Sequence, residues 1–251
     1  MNKPPIPVKK PILILQLRPE DDTSNSEFTA LLKYGGLEES DVHRIRVEKN
    51  GIPKLELIEF SAIIVGGSPF DISTPNSEKS GIQKRIEADF RRLLKEVVET
   101  DFPFLGACSG CGLLGNYLET PISGKFSEPV SNVSVELTEH GKSDKLLRGF
   151  PNKISVLLGH KEACDTIPQG ATLLIRGEKC PVQMFRVGNN VYATQFHPEG
   201  DRDGFLTRIT AYKNHGYFDL ETVESLKEVI SQSETPFAQE ILRRFISRYH
   251  A

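Results

Sequence analysis

The sequence predicts a single α/β domain built on a doubly wound, mostly parallel sheet with an antiparallel extension. Short β-branched runs alternate with longer amphipathic stretches in the first half, several short strand patterns follow, and the chain turns helical after Gly200. The 251 residues contain no internal repeat. We therefore expect one domain over residues 1–251, with its core at about 11–200 and a helical tail at 201–251.

The first half predicts a strand–helix–strand unit within a parallel sheet. Its strand patterns lie at residues 11–17, 43–47, 60–65 and 104–107. The run at 60–65 is apolar throughout, which is typical of a strand covered on both faces. Residues 79–100 carry apolar side chains at helical spacing, namely Ile82, Ile86, Phe90, Leu93, Leu94 and Val97. Such units favour right-handed crossovers with helices on both faces of the sheet.

The second half predicts the antiparallel extension and the C-terminal helices. Its strand patterns lie at residues 132–137, 154–158, 172–175, 182–187 and 191–196. Residues 186–191 read RVGNNV, a hairpin signal, because glycine and asparagine tolerate positive φ. Helical patterns follow at 203–215, 220–231 and 236–249, and the apolar stripe of the last predicts packing on the domain.

Composition excludes several function classes. The 31 basic and 34 acidic residues give a net charge of −3, with no electrostatic footprint for nucleic acid or an anionic membrane. The apolar run at 11–17 is too short for a secretory signal, and nothing later approaches a membrane span. Four cysteines are too few for a secreted disulfide scaffold. We expect a cytoplasmic protein without nucleic-acid or membrane partners.

A candidate nucleophile follows the strand pattern at 104–107. Glycines two residues before and two after Cys108 permit the sharp strand-to-helix turn that presents a nucleophile. A helix N-terminus favours thiolate over thiol, and the N–H of Ser109 would face a developing oxyanion. The same glycines also fit close strand-to-helix packing, with Cys108 as a small buried side chain.

A candidate base follows the last strand pattern, in Gln195-Phe-His197-Pro-Glu199. Residues two apart in extended chain project to one side, so His197 and Glu199 can form an oriented imidazole–carboxylate pair. Many His-x-Glu pairs are only polar surface residues. The position beyond a strand favours function, because reactive groups of open α/β sheets gather at the carboxyl ends of strands.

A third motif, a glycine-rich turn, follows the strand at 60–65, in Gly66-Gly67-Ser-Pro. The N–H of Gly67 could supply a second oxyanion donor, because no side chain blocks close approach. An ordinary strand-to-loop turn would carry the same residues.

Taken in this order, the three motifs resemble the class I glutamine amidotransferases, particularly the glutaminase domain of GMP synthase, over residues 11–200. The resemblance implies a flavodoxin-like fold that hydrolyses the glutamine side-chain amide through a cysteinyl thioester and needs no cofactor. It implies Cys108 as nucleophile, His197 as general base and acid, Glu199 as its orienter, and the N–H groups of Gly67 and Ser109 as the oxyanion hole. It also implies substrate contacts from Gly66, Gly110, Gly112, His160 and Gln195.

Two features depart from the family pattern. The family usually has glutamine at the fourth position after the nucleophile, where this chain has Gly112; leaving substrate groups unpaired there would weaken binding by about 1–3 kcal/mol. The chain also contains no phosphate-binding G-x-x-x-x-G-K-[ST] motif. An ammonia acceptor would therefore be a separate synthetase subunit, or free hydrolysis is the reaction.

Three alternatives stay open. The same triad would serve a γ-glutamyl peptide hydrolase, and a catalytically silent or partner-activated subunit would keep the same motifs. The Cys108-x-x-Cys111 spacing also occurs in thiol redox proteins, and Cys111 could act as a resolving thiol. Cys164 and Cys180 lack metal-ligand spacing, so we expect structural thiols and no metal site.

Overall fold

The computed structural model describes residues 9–212 and 220–250. The strands are β1 Ile12–Gln16, β2 Val42–Arg46, β3 Ala62–Val65, β4 Phe104–Ala107, β5 Ile122–Ser123, β6 Glu128–Leu137, β7 Lys153–His160, β8 Ala163–Cys164, β9 Ala171–Arg176, β10 Met184–Val187 and β11 Val191–Thr194. The helices are α1 Asp21–Gly35, α2 Val47–Asn50, α3 Gly81–Glu99, α4 Ser109–Tyr117, α5 Glu139–Ser143, α6 Arg202–Tyr212, α7 Val223–Ser231 and α8 Pro236–Tyr249.

A nine-stranded sheet has the order β2-β1-β3-β4-β11-β10-β9-β6-β7, and β5 pairs separately with β8. The neighbours from β2 to β11 pair in parallel, and those from β11 to β7 pair antiparallel. This arrangement confirms the predicted mostly parallel sheet with an antiparallel extension. The predicted hairpin joins β10 to β11, with Gly188 at a φ of 54°.

Two apolar layers cover the parallel strands, as the alternation of side chains along a strand requires. In β1, Ile12 and Ile14 face a layer that includes α1 and α8, whereas Leu13 and Leu15 face a layer that includes α3 and α4. Helix α8, in the predicted tail, thus packs on the domain. Helices α6 and α7 form a smaller cluster against Leu157 of β7.

The observed elements differ from the predictions in several places, and the unpredicted elements include α1, α2, α5, β5 and β8. Helix α1 was not predicted, because its buried face mixes the polar residues Thr23, Ser24 and Glu27 with the apolar Phe28, Ala30 and Leu31, which weakens the apolar periodicity. Helix α3 matches the pattern at 79–100, but Ile82 is exposed. The predicted helix 203–215 is observed to Tyr212, and 213–215 lie outside the described residues.

Within the described ranges, no helix combines the length and the apolar character needed to cross a bilayer.

Candidate active site

Strand pairing brings the predicted nucleophile and base to one edge of the sheet. Cys108 directly follows β4, and His197 lies three residues beyond the end of β11. The two strands are parallel neighbours, with Ala107 opposite Thr194, and the Cys108 N–H donates to the Thr194 carbonyl at 2.8 Å. Parallel strands end at the same edge of a sheet. The pairing of β4 with β11 therefore brings Cys108 and His197 together, although they are 89 positions apart in the sequence.

The backbone at Cys108 is strained in the way a nucleophile turn requires. Its φ is 52° and ψ −99°, a conformation that non-glycine residues rarely adopt. A Cβ at Gly106 would lie 2.7 Å from the Gly110 carbonyl group, so the turn needs glycine at position 106. Helix α4 begins at Ser109, whose N–H is among the first-turn amides without a carbonyl partner inside the helix.

A buried chain of polar contacts orients His197. Its Nδ1 lies 2.7 Å from Glu199 Oε1, and the same oxygen accepts from Arg208 Nη2 at 2.8 Å. All three side chains are buried. Burial lowers the pKa of His197, so the ring is neutral at neutral pH, with Nδ1 donating to Glu199 and Nε2 available as a base.

His197 and Arg208 keep the carboxyl group of Glu199 ionised. Burial alone would raise the pKa of this carboxyl, but His197 and Arg208 together hold the pKa well below its usual range. Glu199 is therefore an ionised acceptor at any physiological pH. An ionised carboxylate stabilises the imidazolium that forms when His197 takes a proton.

Cys108 and His197 face a common space, here called the His197 cavity. Its lining residues are Arg18, Ser68, Cys108, Val130, Gly159, His197, Phe205, Arg208 and Tyr212. A second space, here called the Glu162 cavity, also reaches Cys108. It is lined by Ser68, Asp71, Cys108, Ser109, Gly112, Ile122, Gly159, His160, Lys161, Glu162, Ala163 and Gln195. The nucleophile candidate thus stands between two cavities, with the base candidate in one of them.

Comparison with known sequences assigns this chain to a protein family. The family model described as class I glutamine amidotransferase matches residues 24–216. The chain belongs to the class I glutamine amidotransferase family. The match includes the nucleophile turn, the His197–Glu199 pair and Arg208 of α6.

Individual relatives of this amidotransferase chain are distant. It is 26% identical over 169 residues to a glutamine-hydrolyzing GMP synthase subunit of Pyrococcus abyssi, covering 67% of this chain and 79% of the relative. It is 25% identical over 176 residues to GMP synthase of Wolbachia sp. subsp. Brugia malayi, covering 69% of this chain but 32% of the relative. The chain thus spans about a third of that longer enzyme.

Solved structures show the same fold. A glutamine amidotransferase from Thermotoga maritima matches with a TM-score of 0.69 at 23% identity, covering 95% of this chain and 97% of that chain. A glutamine amidotransferase from Methylobacillus flagellatus matches with a TM-score of 0.72 at 16% identity, covering 95% and 94%.

The thiol of Cys108 is protonated at neutral pH. Burial raises the pKa of Cys108 to about 11, although Arg18 and Arg208 act in the opposite direction. Only a small fraction of the thiol is ionised at neutral pH, so a thiolate needs a base that removes the proton during attack. The unprotonated Nε2 of His197 is the candidate, because His197 and Cys108 share a cavity.

The amide of Gly67, a predicted oxyanion donor, has an internal partner. It donates to Glu27 Oε1 at 3.1 Å. Glu27 is fully buried and also accepts from Arg18 Nε at 2.8 Å and, through Oε2, from Gln16 Nε2 at 3.0 Å. A Cβ at Gly67 would collide with Arg18 and lie 2.8 Å from His197 Cε1. Gly67 is therefore adjacent to the base, but its N–H is directed at a carboxylate in this structure.

The Glu162 cavity, which reaches Cys108, is the candidate site for the part of a substrate that lies away from the reacting carbonyl group. Its acidic groups are Asp71 and Glu162, and burial raises the pKa of both. The carboxylate of Glu162 accepts the N–H groups of Ile72 and Ser73 at 2.7 Å each, which fixes the loop after β3 across the cavity. A Cβ at Gly112 would lie 3.1 Å from Ile72 Cδ1 and 3.9 Å from Glu162 Oε1.

The predicted substrate contacts divide into two groups. Gly112, His160 and Gln195 line the Glu162 cavity, but Gly66 and Gly110 lie in the interior. A Cβ at Gly66 would overlap the Glu27 carboxylate, and one at Gly110 would lie 3.0 Å from Val65 Cβ. These two glycines permit close packing and line neither cavity, and their role as substrate contacts stays a prediction.

The C-x-x-C spacing pairs Cys111 with Cys108 in sequence, but in the structure the thiol of Cys164 has the larger effect on Cys111. Cys111 is fully buried in α4, and the thiol of Cys164 on β8, together with burial, raises the pKa of the Cys111 thiol. Cys108 and Cys111 are thus close in sequence at the start of α4, whereas the thiol that most affects Cys111 belongs to Cys164 on another element.

Sequence reasoning missed Arg18, Glu27 and Arg208. Arg208 comes from α6, in the tail that adds little to the motif resemblance, and it contacts both Glu199 and, at 3.7 Å, Glu27. The oxygens of Glu27 and Glu199 lie close enough to His197 to resemble a metal site. Their charges are already matched by the guanidinium groups of Arg18 and Arg208, so this group carries no metal assignment.

Proposed function

We propose that the chain hydrolyses the side-chain amide of glutamine or of a related γ-glutamyl compound. His197 Nε2 takes the Cys108 proton as Sγ attacks the γ-carbonyl carbon, and the carbonyl oxygen becomes an oxyanion. Collapse breaks the C–N bond, and His197 returns the proton to the leaving amine. Water then attacks the thioester with His197 again as base, which releases the γ-carboxylate and restores the thiol.

One observation carries this proposal. Cys108, in a strained turn at the start of α4, and His197, held by Glu199, line one cavity at the carboxyl ends of neighbouring strands. The chemistry needs a nucleophile, a base and an orienting acceptor in this relation.

Asp71 is paired with Lys161 at 3.6 Å, so the carboxylate of Glu162 is the acidic group of the Glu162 cavity that supports a substrate with an ammonium group. Glutamine and γ-glutamyl peptides both have one, on the α-carbon. Gly112 stands where the family usually has a glutamine whose side chain helps to hold the substrate. This cavity therefore cannot select for glutamine through hydrogen bonds from that side chain.

The test compares two substrates with one enzyme. Ammonia release from glutamine and amine release from a γ-glutamyl dipeptide are measured with the wild-type chain and with Cys108→Ala. We expect turnover of at least one substrate in the wild type and its loss in the variant, together with a covalent adduct of a glutamine-analogue electrophile on Cys108. Turnover that survives in Cys108→Ala contradicts the assignment.

The contact between Gly67 and Glu27 favours a second candidate, a partner-activated form of the same enzyme. With this amide on Glu27, one predicted oxyanion donor is engaged, and loss of one such donor costs about 10²–10³ in kcat. The relative from Pyrococcus abyssi is named as a subunit. We propose that a separate synthetase subunit, which would also accept the ammonia, shifts the amide toward the substrate.

Glu27→Gln tests the activation step. The amide retains the shape of the side chain but weakens the charged acceptor of the Gly67 N–H, so we expect kcat of the isolated chain to rise. Glu48→Gln is the matched control, because Glu48 is also buried and pairs with an arginine, Arg46 Nε at 2.6 Å, whereas the Gly67 N–H donates to Glu27 and not to Glu48. An unchanged kcat in a folded Glu27→Gln variant refutes the resting block.

A further inference from the structure

Three buried side chains of metal-binding type meet outside the triad. Glu128 begins β6, His160 ends β7, and Cys180 precedes β10. One ligand atom from each lies within 4.8 Å of the others, and the exposed fractions of the residues are 5%, 4% and 0%. No sequence motif links the three, because they come from separate segments of the antiparallel half of the fold.

The hydrogen bond that His160 Nδ1 makes leaves the other ring nitrogen, Nε2, facing a carboxylate oxygen of Glu128. Its Nδ1 lies 3.0 Å from the carbonyl oxygen of Glu162, which can only accept, so Nδ1 must carry a proton. Its Nε2 lies 3.2 Å from Glu128 Oε2. In a neutral imidazole this nitrogen holds a lone pair, and a lone pair facing a carboxylate oxygen needs a cation between them. The cation is either a proton or a metal ion.

A second observation concerns Gln183. Its Nε2 donates to the same Glu128 oxygen at 2.8 Å, which leaves Gln183 Oε1 within about 5 Å of that atom. Gln183 is fully buried, and its Oε1 has no hydrogen-bond partner among the described residues. An amide anchored on this carboxylate thus has an unsatisfied acceptor in a protein interior, where such groups are rare.

We propose that Glu128, His160 and Cys180 bind a divalent metal ion of the zinc class. Nitrogen, oxygen and sulfur donors in one closed group are the set that zinc accepts. Two such ligands at tetrahedral positions are about 3.3 Å apart, close to the observed His160–Glu128 distance of 3.2 Å.

Charge balance supports a divalent ion. On binding, Cys180 releases its thiol proton to solvent and gives up its weak contact with the Val182 carbonyl, and Nε2 of His160 coordinates in place of holding a proton. A 2+ ion with one carboxylate and one thiolate makes a neutral group, which a buried site tolerates better than separate charges.

The position of the site gives the ion a structural role beside the substrate. His160 lines the Glu162 cavity, and its Nδ1–H bonds to the backbone of Glu162. A backbone carbonyl on the second nitrogen is the usual way in which proteins orient a metal-bound histidine. The ion would fix the loop that contributes Lys161 and Glu162 to the cavity.

The test measures zinc and cobalt binding by the full chain. The purified protein is loaded with zinc, freed of excess ion and analysed for metal content; a cobalt-loaded sample is examined for a thiolate-to-cobalt charge-transfer band. We expect about one ion per chain in the wild type and almost none in Cys180→Ser. Cys164→Ser is the matched control, because Cys164 is also buried and lies outside the cluster. Cys108→Ala excludes binding at the nucleophile.

Four outcomes overturn the proposal. A folded wild type that binds no zinc at micromolar ion shows that His160 and Glu128 share only a proton. Zinc that stays in Cys180→Ser, or leaves in Cys108→Ala, places the ion elsewhere. A cobalt spectrum without the thiolate band removes Cys180 as a ligand. Circular dichroism of each variant confirms folding, and Glu128→Gln provides a second change at the site if Cys180→Ser is unstable.

Discussion

Replacing Glu199 by glutamine tests the buried network that orients His197. The variant keeps the side-chain shape, so the fold has no cavity to fill. It removes the negative charge that lies 2.7 Å from His197 Nδ1 and 2.8 Å from Arg208 Nη2. Two unit charges 2.8 Å apart attract by about 6 kcal/mol at an effective dielectric constant of about 20, and this attraction offsets several kcal/mol of desolvation for each ion.

The expected losses follow from that balance. Arg208 stays buried with its Nε and Nη1 already lacking partners among the described residues, so the free energy of unfolding should fall by about 3–5 kcal/mol. Turnover should fall by about 10⁴, as when the orienting carboxylate of a triad becomes an amide. Chemical denaturation measures the first quantity, and release of ammonia or amine at saturating substrate measures the second.

A double variant separates charge from packing. Arg208→Met alone leaves Glu199 charged, whereas Glu199→Gln with Arg208→Met removes both charges and should recover roughly 1–3 kcal/mol relative to the sum of the single changes. Glu48→Gln, which breaks a buried pair away from both cavities, should reduce stability without this loss of turnover. If Glu199→Gln keeps turnover within about tenfold of the wild type, the orienting role is refuted.

Four further predictions follow from the site. The depressed pKa of Glu199 adds stability above the unfolded pKa of about 4.3 that is lost as pH falls below it, so the stability difference between wild type and Glu199→Gln should shrink in acid denaturation series; a constant difference contradicts the shift. Alkylation of Cys108 by iodoacetamide should accelerate with pH up to about 11, and a rate that levels off near neutral pH would show a preformed thiolate. Gly67→Ala should lower kcat, since its Cβ meets Arg18 and His197 and would displace the base; an unchanged kcat would show that the site accommodates the added methyl group. Gly112→Gln with Ile72→Ala to make room should lower the KM for glutamine by roughly tenfold, and an unaltered KM means that another group binds that part of the substrate.

The sequence determined the fold class and the place of the reactive groups. Apolar periodicity separates strands from helices, and parallel strands end at one edge, so residues directly after β3, β4 and β11 had to meet. The glycines around Cys108 and the extended His197-Pro-Glu199 segment are local signals that a single chain displays. The fold class was predicted correctly for this reason, whereas α1 was missed because polar residues interrupt the apolar pattern of its buried face.

Only the tertiary structure decided which distant side chains complete the site. Arg18, Glu27 and Arg208 come from three segments without a common motif, and their charges are compatible with burial only because they pair in space. The direction of the Gly67 amide toward Glu27 depends on the same packing. The grouping of Glu128, His160 and Cys180 arises in this way too. Sequence spacing records covalent distance, whereas ion pairs and metal ligands depend on distance through space, which the folded sheet sets.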